Sequence, residues 1–223
     1  MTLKHYTDGV DGPALEAGIT WGTDQVTEAI IDGKATTKDF TPTAEQITLH
    51  GLGFIQVKLE ANQRMHVWHP DLPRRSCYAH SAVHNHRFSF MSRVLIGTQV
   101  NRIWLVGDGQ ELEAEPTHDR ISHDGERSPK GGRLSYVAGQ VVAQPLEPEI
   151  YEAGHSYIMP ELRYHDTPND GIVVTILQKL TEGEIHASSL IERGHTFDQD
   201  FDRFQLSPDR LWSFVLDALR SAS

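Results

Sequence analysis

Short runs of alternating hydrophobic and polar residues fill the middle of the chain. Residues 54–59 and 65–68 alternate in this way, and the polar segment 61–63 between them is typical of a hairpin turn. Period-two alternation indicates strands that bury one face. The same pattern, punctuated by Gly and Pro, predicts further strands at 83–88, 91–96, 98–106, 134–143, 155–159, 165–167 and 172–179. This succession of short strands predicts an all-β fold, an antiparallel barrel or jelly roll.

The two ends of the chain carry helical patterns. Residues 24–33 begin with a candidate N-cap and end at a glycine, which favours a short helix, although the segment could equally continue as a strand. Near the other end, Ser207 and Pro208 suit the N-cap and first-turn positions of an amphipathic helix at 208–221. Its apolar stripe consists of Leu211, Phe214, Val215, Ala218 and Leu219. We expect the stripe to pack on the outside of the barrel, and a homodimer contact is its alternative use.

The length of 223 residues fits a single domain. We expect an N-terminal extension at 1–46, a barrel at 47–180 and a C-terminal extension at 181–223. Residues 107–132 form a polar, charged insertion with few large apolar side chains. Such a segment buries little surface, so we expect it to be weakly ordered and its His118 and His123 to be solvated.

Composition narrows the functional classes. The chain has 31 acidic and 20 basic residues, a formal charge of −11, which disfavours binding to the phosphate backbone of nucleic acids. No apolar stretch approaches the roughly 20 residues of a membrane span, and the first residues are polar rather than a signal sequence, so we expect a cytoplasmic location without membrane contact. Cys77 is the only cysteine, which excludes an intrachain disulfide and a cysteine-rich zinc site.

The pair His84-Asn85-His86 points to metal chemistry. On a strand, two histidines one residue apart face the same side, and neutral imidazoles are common ligands of divalent transition metals. A third histidine from a distant strand would complete the site. His80, four residues earlier, could supply a further ligand only if the intervening segment stays extended or bends inward.

A second run supplies that third histidine. Gly154, Pro160, His165 and Asn169 are spaced as in the second sequence motif of the cupin superfamily, which this segment therefore resembles. At Leu162, two residues after the proline, the family usually has a glycine, which would tolerate a positive φ.

The first cupin motif is matched in part. His84 and His86 are present, and Gly97 stands at the expected distance. The family's glutamate ligand is replaced by Phe90, and its early glycine by Tyr78. The resemblance covers roughly residues 50 to 180 and implies a cupin-type double-stranded β-helix, the RmlC-like jelly-roll barrel, with a few peripheral helices. Because cupins include enzymes, isomerases and binding proteins, it does not identify a reaction.

The resemblance also implies one divalent transition metal per chain on His84, His86 and His165. A site of three histidines without glutamate is similar to that of cysteine dioxygenase and other thiol dioxygenases, which favours Fe(II), with Ni, Mn or Zn as alternatives. Three neutral ligands leave coordination positions free for water, oxygen or an anionic substrate. In that reading, Arg64 is a candidate to orient a substrate carboxylate, and Tyr157, on the same strand face as residue 155, is a candidate proton donor.

Three functions remain open at the level of sequence. The first is a mononuclear non-haem iron oxygenase acting on a small polar thiol or carboxylate. The second is a metal-containing cupin that binds a small molecule without turnover. The third is an isomerase or epimerase in which the histidines act as general bases near neutral pH.

Overall fold

The computed structural model describes residues 47–59, 62–110 and 113–221. The predicted helix at 24–33 and the extension at 1–46 lie outside the described residues. The described ranges contain one α-helix, α1, and one 3-10 turn, Tyr78–His80. Their twelve strands are β1 (Ile47–His50), β2 (Phe54–Lys58), β3 (Gln63–Trp68), β4 (Phe90–Ile96), β5 (Thr98–Gly107), β6 (His118–Ser122), β7 (Tyr136–Pro145), β8 (Glu149–Glu152), β9 (Ser156–Met159), β10 (His165–Asp166), β11 (Val173–Lys179) and β12 (Ser188–Glu192).

The strands form two antiparallel sheets. The first has the order β1-β2-β3-β11-β4-β9, and the second has the order β10-β5-β7-β6-β12, with β8 paired to the first half of β5. The prediction of an all-β architecture is therefore confirmed. Most of the strands predicted from alternation are present, with ends that differ by one to a few residues.

The outer face of the first sheet is covered by the C-terminal helix α1 (Pro208–Arg220). The Oγ of Ser207 accepts a hydrogen bond from the backbone N–H of Arg210 at 3.3 Å, so the predicted N-cap is formed. The predicted apolar stripe of the helix shares one hydrophobic cluster with the outward-facing residues of β1, β2, β3 and β11. The stripe therefore packs on the barrel, as the first of the two sequence alternatives expected.

A single residue, Gly97, joins the two sheets. It lies between β4 and β5 with φ of +77°, and a Cβ at this position would lie 2.2 Å from the carbonyl oxygen of Ile172. A side chain is therefore excluded both by the backbone conformation and by the close approach. The glycine of the first motif lets the chain pass directly from one sheet to the other.

The expectation of weak order across 107–132 is wrong for β6. This strand pairs with β7 on one side and β12 on the other, so both of its edges have hydrogen-bond partners. Its order rests on backbone pairing and on the buried Ile121 rather than on a continuous apolar run. Because β12 belongs to the same sheet, the second sheet extends into the predicted C-terminal extension at 181–223.

The predicted strand at 83–88 is also not formed as a continuous ladder. His84 instead makes single bridges to His165 on one side and to Ser189 on the other. The next residue, Asn85, accepts a hydrogen bond from the N–H of Ser188 at 2.7 Å and donates its own N–H to the Ser188 carbonyl at 2.9 Å. This short segment therefore fills the gap between β10 and β12.

Among the described residues, no helix combines the length and apolar character that a membrane crossing requires.

Candidate metal centre

The three predicted histidines converge. The ligand atoms of His84, His86 and His165 all lie within 4.8 Å of one another, and their ring centroids are 4.6 to 5.2 Å apart. The backbones of His84 and His165 exchange two hydrogen bonds of 2.9 Å, so two of the three rings have a fixed mutual position. The site therefore forms where the first motif, with His84 and His86, meets the second motif, with His165.

Backbone carbonyls fix the tautomers of two of these rings. Nδ1 of His84 lies 3.0 Å from the carbonyl oxygen of Ala82, and Nδ1 of His165 lies 3.2 Å from that of Arg163. A carbonyl oxygen can only accept, so each Nδ1 carries the proton and each Nε2 retains its lone pair. This second hydrogen bond is the usual device that orients a histidine ligand for a metal.

Burial keeps the three rings neutral. It lowers the pKa of His165 to about 4, and it lowers the pKa of His84 and of His86 well below the usual value, with the neighbouring rings adding to both shifts. Neutral imidazole is the form that binds a metal ion. The donor set therefore fits a divalent transition metal.

The wall beside His86 is apolar. Phe90, where cupins usually have a glutamate, meets the His86 ring edge-on at 5.2 Å, and Phe88 lies at the same centroid distance. The structure thus gives this side of the trio aromatic carbon rather than a carboxylate. An ion held there would receive no compensating negative charge from this wall.

Two members of the trio, His84 and His86, line a cavity of about 280 Å³, just below the usual range of small-molecule sites, roughly 300–1,000 Å³. Its lining includes four histidines (His50, His84, His86 and His123), four arginines (Arg75, Arg127, Arg133 and Arg203) and one carboxylate, Asp198. The cavity is therefore strongly biased towards positive charge, although the whole chain is acidic.

His50 is a site residue that sequence reasoning missed. Its Nδ1 accepts a hydrogen bond from the N–H of Leu52 at 3.3 Å, so its proton resides on Nε2. Burial, reinforced by Arg203, lowers the pKa of His50 well below the usual value. The ring is thus a neutral hydrogen-bond donor in the cavity lining.

A second inner histidine, His66, lies behind His50. Its ring is tilted against Phe54, which in turn stacks on His50 at 4.3 Å. Burial, followed by the charge of Arg64, lowers the pKa of His66 to about 3. The only sequence signal for either histidine was a polar position in an alternating strand.

Tyr157 does not reach the trio. Phe90 lies between them, 6.3 Å from the Tyr157 ring and 5.2 Å from the His86 ring. The Tyr157 hydroxyl is hydrogen-bonded to Ser92 and Asn101, and burial raises its pKa. The tyrosine therefore belongs to a buried polar cluster rather than to the cavity lining.

Arg64 is separated from the trio by the ring of Phe88. Its guanidinium carbon is 5.7 Å from the centroid of Phe88, which also contacts the His86 ring. Arg64 is not among the residues that line the cavity. The arginines that do line it were not singled out from the sequence.

Other histidines also differ from expectation. His80 is not a fourth member of the trio: its Nδ1 lies 2.9 Å from Glu192, and its ring stacks on His195 at 3.5 Å, forming a separate, partly exposed group. His118 is buried, and His123 lines the cavity with its Nε2 2.8 Å from the Ser189 hydroxyl. The expectation that both were solvated loop residues is wrong, because β6 and the turn after it are packed into the sheet.

No family model matches the chain, and no curated protein matches it. Solved structures do. One is Drosophila melanogaster CENP-C bound to CAL1, with a TM-score of 0.33 at 10% identity, covering 70% of this chain and 100% of that chain. A structure described as the Drosophila melanogaster CENP-C cupin domain also has a TM-score of 0.33 at 10% identity, covering 77% and 100%.

Two further matches are enzymes. Hydroquinone 1,2-dioxygenase from Sphingomonas sp. TTNP3 with 4-hydroxybenzoate bound has a TM-score of 0.29 at 10% identity, covering 64% of this chain and 70% of that chain. Hydroquinone 1,2-dioxygenase PnpCD in complex with Cd²⁺ and 4-hydroxybenzonitrile has a TM-score of 0.30 at 14% identity, covering 73% and 83%. Likenesses this distant carry no argument about function. The cupin-type fold expected from the two motifs is instead seen in the two antiparallel sheets and the histidine trio between them.

Proposed function

We propose that the protein is a mononuclear metal-dependent oxygenase with Fe(II) on His84, His86 and His165, acting on a small polar molecule that carries a thiol or a carboxylate. One observation carries the proposal. Three neutral imidazoles meet at one point, two of them with Nε2 lone pairs fixed by backbone hydrogen bonds, and two of the three, His84 and His86, line a cavity of about 280 Å³.

The metal, when bound, would supply Lewis-acid and oxygen-binding chemistry at its open positions. Imidazole ligands suit Fe, Zn, Cu and Ni alike, so the donor set alone does not select iron. The protein's own contribution lies in the walls. Phe88 and Phe90 keep water from one side, while the Nε2–H of His50 is a donor for a substrate oxygen.

The metal-free isomerase is the least supported function. A general base is most effective when its pKa lies near the working pH. Burial lowers the pKa of His123 to about 4 and that of His50 well below the usual value, so these lining histidines are weak bases. The second candidate is a metal-containing protein that binds its ligand without turnover. It is favoured because Tyr157, the proton donor expected from sequence, lies outside the cavity lining.

Oxygen consumption tests the proposal. The protein would be stripped of metal, reconstituted with Fe(II) or with redox-inert Zn²⁺, and offered thiols, amino acids, keto acids and dicarboxylates in an oxygen electrode. We expect uptake with at least one compound in the Fe(II) form, none in the Zn²⁺ form, and none in the Fe(II)-treated His84→Ala/His86→Ala variant.

Two results would contradict it. Tight binding of a compound that is recovered unchanged, with no oxygen uptake, would replace the oxygenase by the binding protein. Turnover that persists in metal-stripped protein would point to acid–base chemistry instead.

A further inference from the structure

The four arginines of the cavity lining form two pairs at different depths. Arg75 and Arg203 lie in its floor, where both come close enough to His50 to lower the pKa of that ring. Arg127 and Arg133 are exposed residues at its edge. The only carboxylate of the lining, Asp198, already accepts hydrogen bonds from Ser76 and from the N–H of residue 200. The arginines therefore outnumber the available negative charge.

The floor arginines are held by neutral groups. Arg75 donates Nη2–H to the carbonyl of Ser81. Arg203 donates Nε–H to the carbonyl of Leu49 at 3.1 Å and Nη2–H to the Thr48 hydroxyl at 3.3 Å. The buried Nε of Arg75 has no hydrogen-bond partner among the described residues. A guanidinium has five N–H donors, and buried donors are nearly always paired. These contacts fix the two side chains while leaving donors unused.

The edge arginines are fixed in an unfavourable arrangement. Arg127 and Arg133 are direct partners in an antiparallel bridge, so like charges stand opposite each other. Each is held by a carbonyl of the same turn, Arg127 by Gly131 at 3.3 Å and Arg133 by Gly125 at 2.9 Å. Like charges directly opposite across a pair of strands destabilise it. Both side chains therefore place positive charge at the edge of the cavity.

The floor and the edge also repel each other. Burial, followed by repulsion from Arg127 and Arg64, lowers the pKa of Arg203 to about 10. Removing a charged group from water is costly unless an opposite charge accompanies it. Among the described residues no carboxylate forms an ion pair with any of the four lining arginines. Within the described lining, Asp198 is the only carboxylate, and it attracts Arg75 alone among the two floor arginines.

We propose that Arg75, Arg127, Arg133 and Arg203 form an oxyanion subsite, and that the protein's ligand is a small dianion with one carboxylate or phosphate group in this subsite and its other end at the histidine trio. The placement of the ligand's far end depends on the metal site of the proposed function, whereas the placement of its arginine-bound end does not. Guanidinium groups bind both kinds of oxyanion through paired charge-assisted hydrogen bonds. The cavity volume restricts the ligand to a short chain.

Calorimetric titration of the full-length protein at constant ionic strength tests the subsite. The probes are succinate, inorganic phosphate and the neutral succinamide, each with Zn²⁺-loaded and with metal-stripped protein. The test variant is Arg127→Gln/Arg133→Gln, whose exposed positions should not disturb folding. Its matched control is Arg120→Gln/Arg193→Gln, which removes the same charge from exposed positions outside the cavity lining.

We expect an oxyanion, succinate or phosphate, to bind and succinamide not to bind. The test variant should weaken binding roughly ten-fold or more, as expected from losing charge-assisted hydrogen bonds, while the control should change it less than about two-fold. Whichever oxyanion binds more tightly identifies the group that the subsite prefers. Zn²⁺ should strengthen succinate binding, because its second carboxylate can reach the trio.

The outcomes separate the two proposals. If both oxyanions fail to bind, or bind equally well to the test and control variants, the subsite is wrong whatever the metal results. If binding depends on the arginines but the trio takes up neither Zn²⁺ nor Fe(II) when the metal is supplied, the subsite stands and the proposed function fails. A circular dichroism spectrum and melting temperature equal to wild type establish that the test variant is folded.

Discussion

The two faces of the first sheet are built from the same strands but serve opposite purposes. In β3, Met65 and Val67 point outward into the cluster beneath α1, whereas His66 between them points inward. On β11, Val174 packs outward while Thr175 faces inward, opposite His66 in the adjacent strand. The outer face is a hydrophobic core, and the inner face is part of the site.

The two faces differ in how their buried groups affect the stability of the fold. The part of the outer face beneath α1 needs only apolar groups of suitable volume, and the cluster there is apolar. The inner face buries His66, the Thr175 hydroxyl and the Trp68 indole N–H, and the last two have no hydrogen-bond partner in the described structure. Buried polar groups without partners are destabilising. The inner face therefore trades stability for the chemistry of the cavity.

Acid should expose this difference most strongly. Histidines with pKa values of about 3 (His66) and about 4 (His123) remain neutral in the fold, but in the unfolded chain they take up protons below about 6.5. The stability they allow is therefore complete above pH 6.5 and is lost as pH falls towards the folded values. For His66 alone the loss should reach about 3 kcal/mol by pH 4.5, at about 1.4 kcal/mol for each pH unit.

Urea unfolding of metal-stripped protein between pH 7.5 and 4.5 measures this loss. A His66→Leu variant should show a shallower dependence on pH, since one titrating group is removed. A free energy of unfolding that stays constant over this range would show that the inner histidines are not held neutral by burial.

The outer face should respond to volume instead. Leu211 is buried at 1% exposure in the cluster between α1 and the sheet, so Leu211→Ala should lower the free energy of unfolding by about 2–4 kcal/mol. Metal content should not change, because the substitution lies on the far side of the sheet. Ser213→Ala, at an exposed position of the same helix, is the control and should cost little. Loss of metal in the Leu211 variant would mean that the two faces are coupled.

The smallest effect should come from the turn at Leu162, which lies in the second motif and is hydrogen-bonded to the first. Leu162 has φ of +59°, in the left-handed region, although it is not glycine. It is held there because its N–H donates to the carbonyl of His86 at 2.7 Å and its carbonyl accepts from Asn85 at 3.4 Å. That conformation costs an L-residue about 1–2 kcal/mol, which glycine avoids.

Leu162→Gly should therefore be neutral or stabilising by up to about 1 kcal/mol, while Leu162→Val, with a β-branched side chain, should be destabilising. Thermal unfolding of both variants beside wild type measures the difference. Equal melting temperatures for the two would show that the backbone conformation at this position carries no cost.

Sequence reasoning reached the parts of the fold that depend on local pattern. Alternation predicts β2, β3 and β11, and the two motifs place His84, His86 and His165. It missed β6, whose five residues include only one large apolar side chain, because that strand is ordered by pairing on both edges. The cavity wall was missed for a different reason. A polar residue in an alternating strand is expected to face solvent, and only closure of the barrel places His50 in the cavity lining.

The arginine subsite could not have been read from the sequence. Arg75, the pair Arg127 and Arg133, and Arg203 lie in three separate parts of the chain, and none of them belongs to a recognisable motif. Their meeting depends on the turn at 125–134 packing against residues 201–204, where Gly131 lies so close to Phe204 that a Cβ would come within 2.8 Å of its ring. Tertiary packing of this kind leaves no local signal.

Metal content of matched variants tests whether His84, His86 and His165 hold a metal ion. Wild type, His84→Ala/His86→Ala and His80→Ala/His195→Ala would be saturated with Zn²⁺, dialysed against a weak chelator and analysed by mass spectrometry for metal per chain. The second double variant removes the exposed histidine group beside Glu192 and controls for the loss of two histidines. We expect about one ion per chain in wild type and in the exposed-group variant, and almost none in the trio variant, since a buried, neutral and oriented donor set binds more tightly. Full metal retention in His84→Ala/His86→Ala would show that the trio is not the metal site.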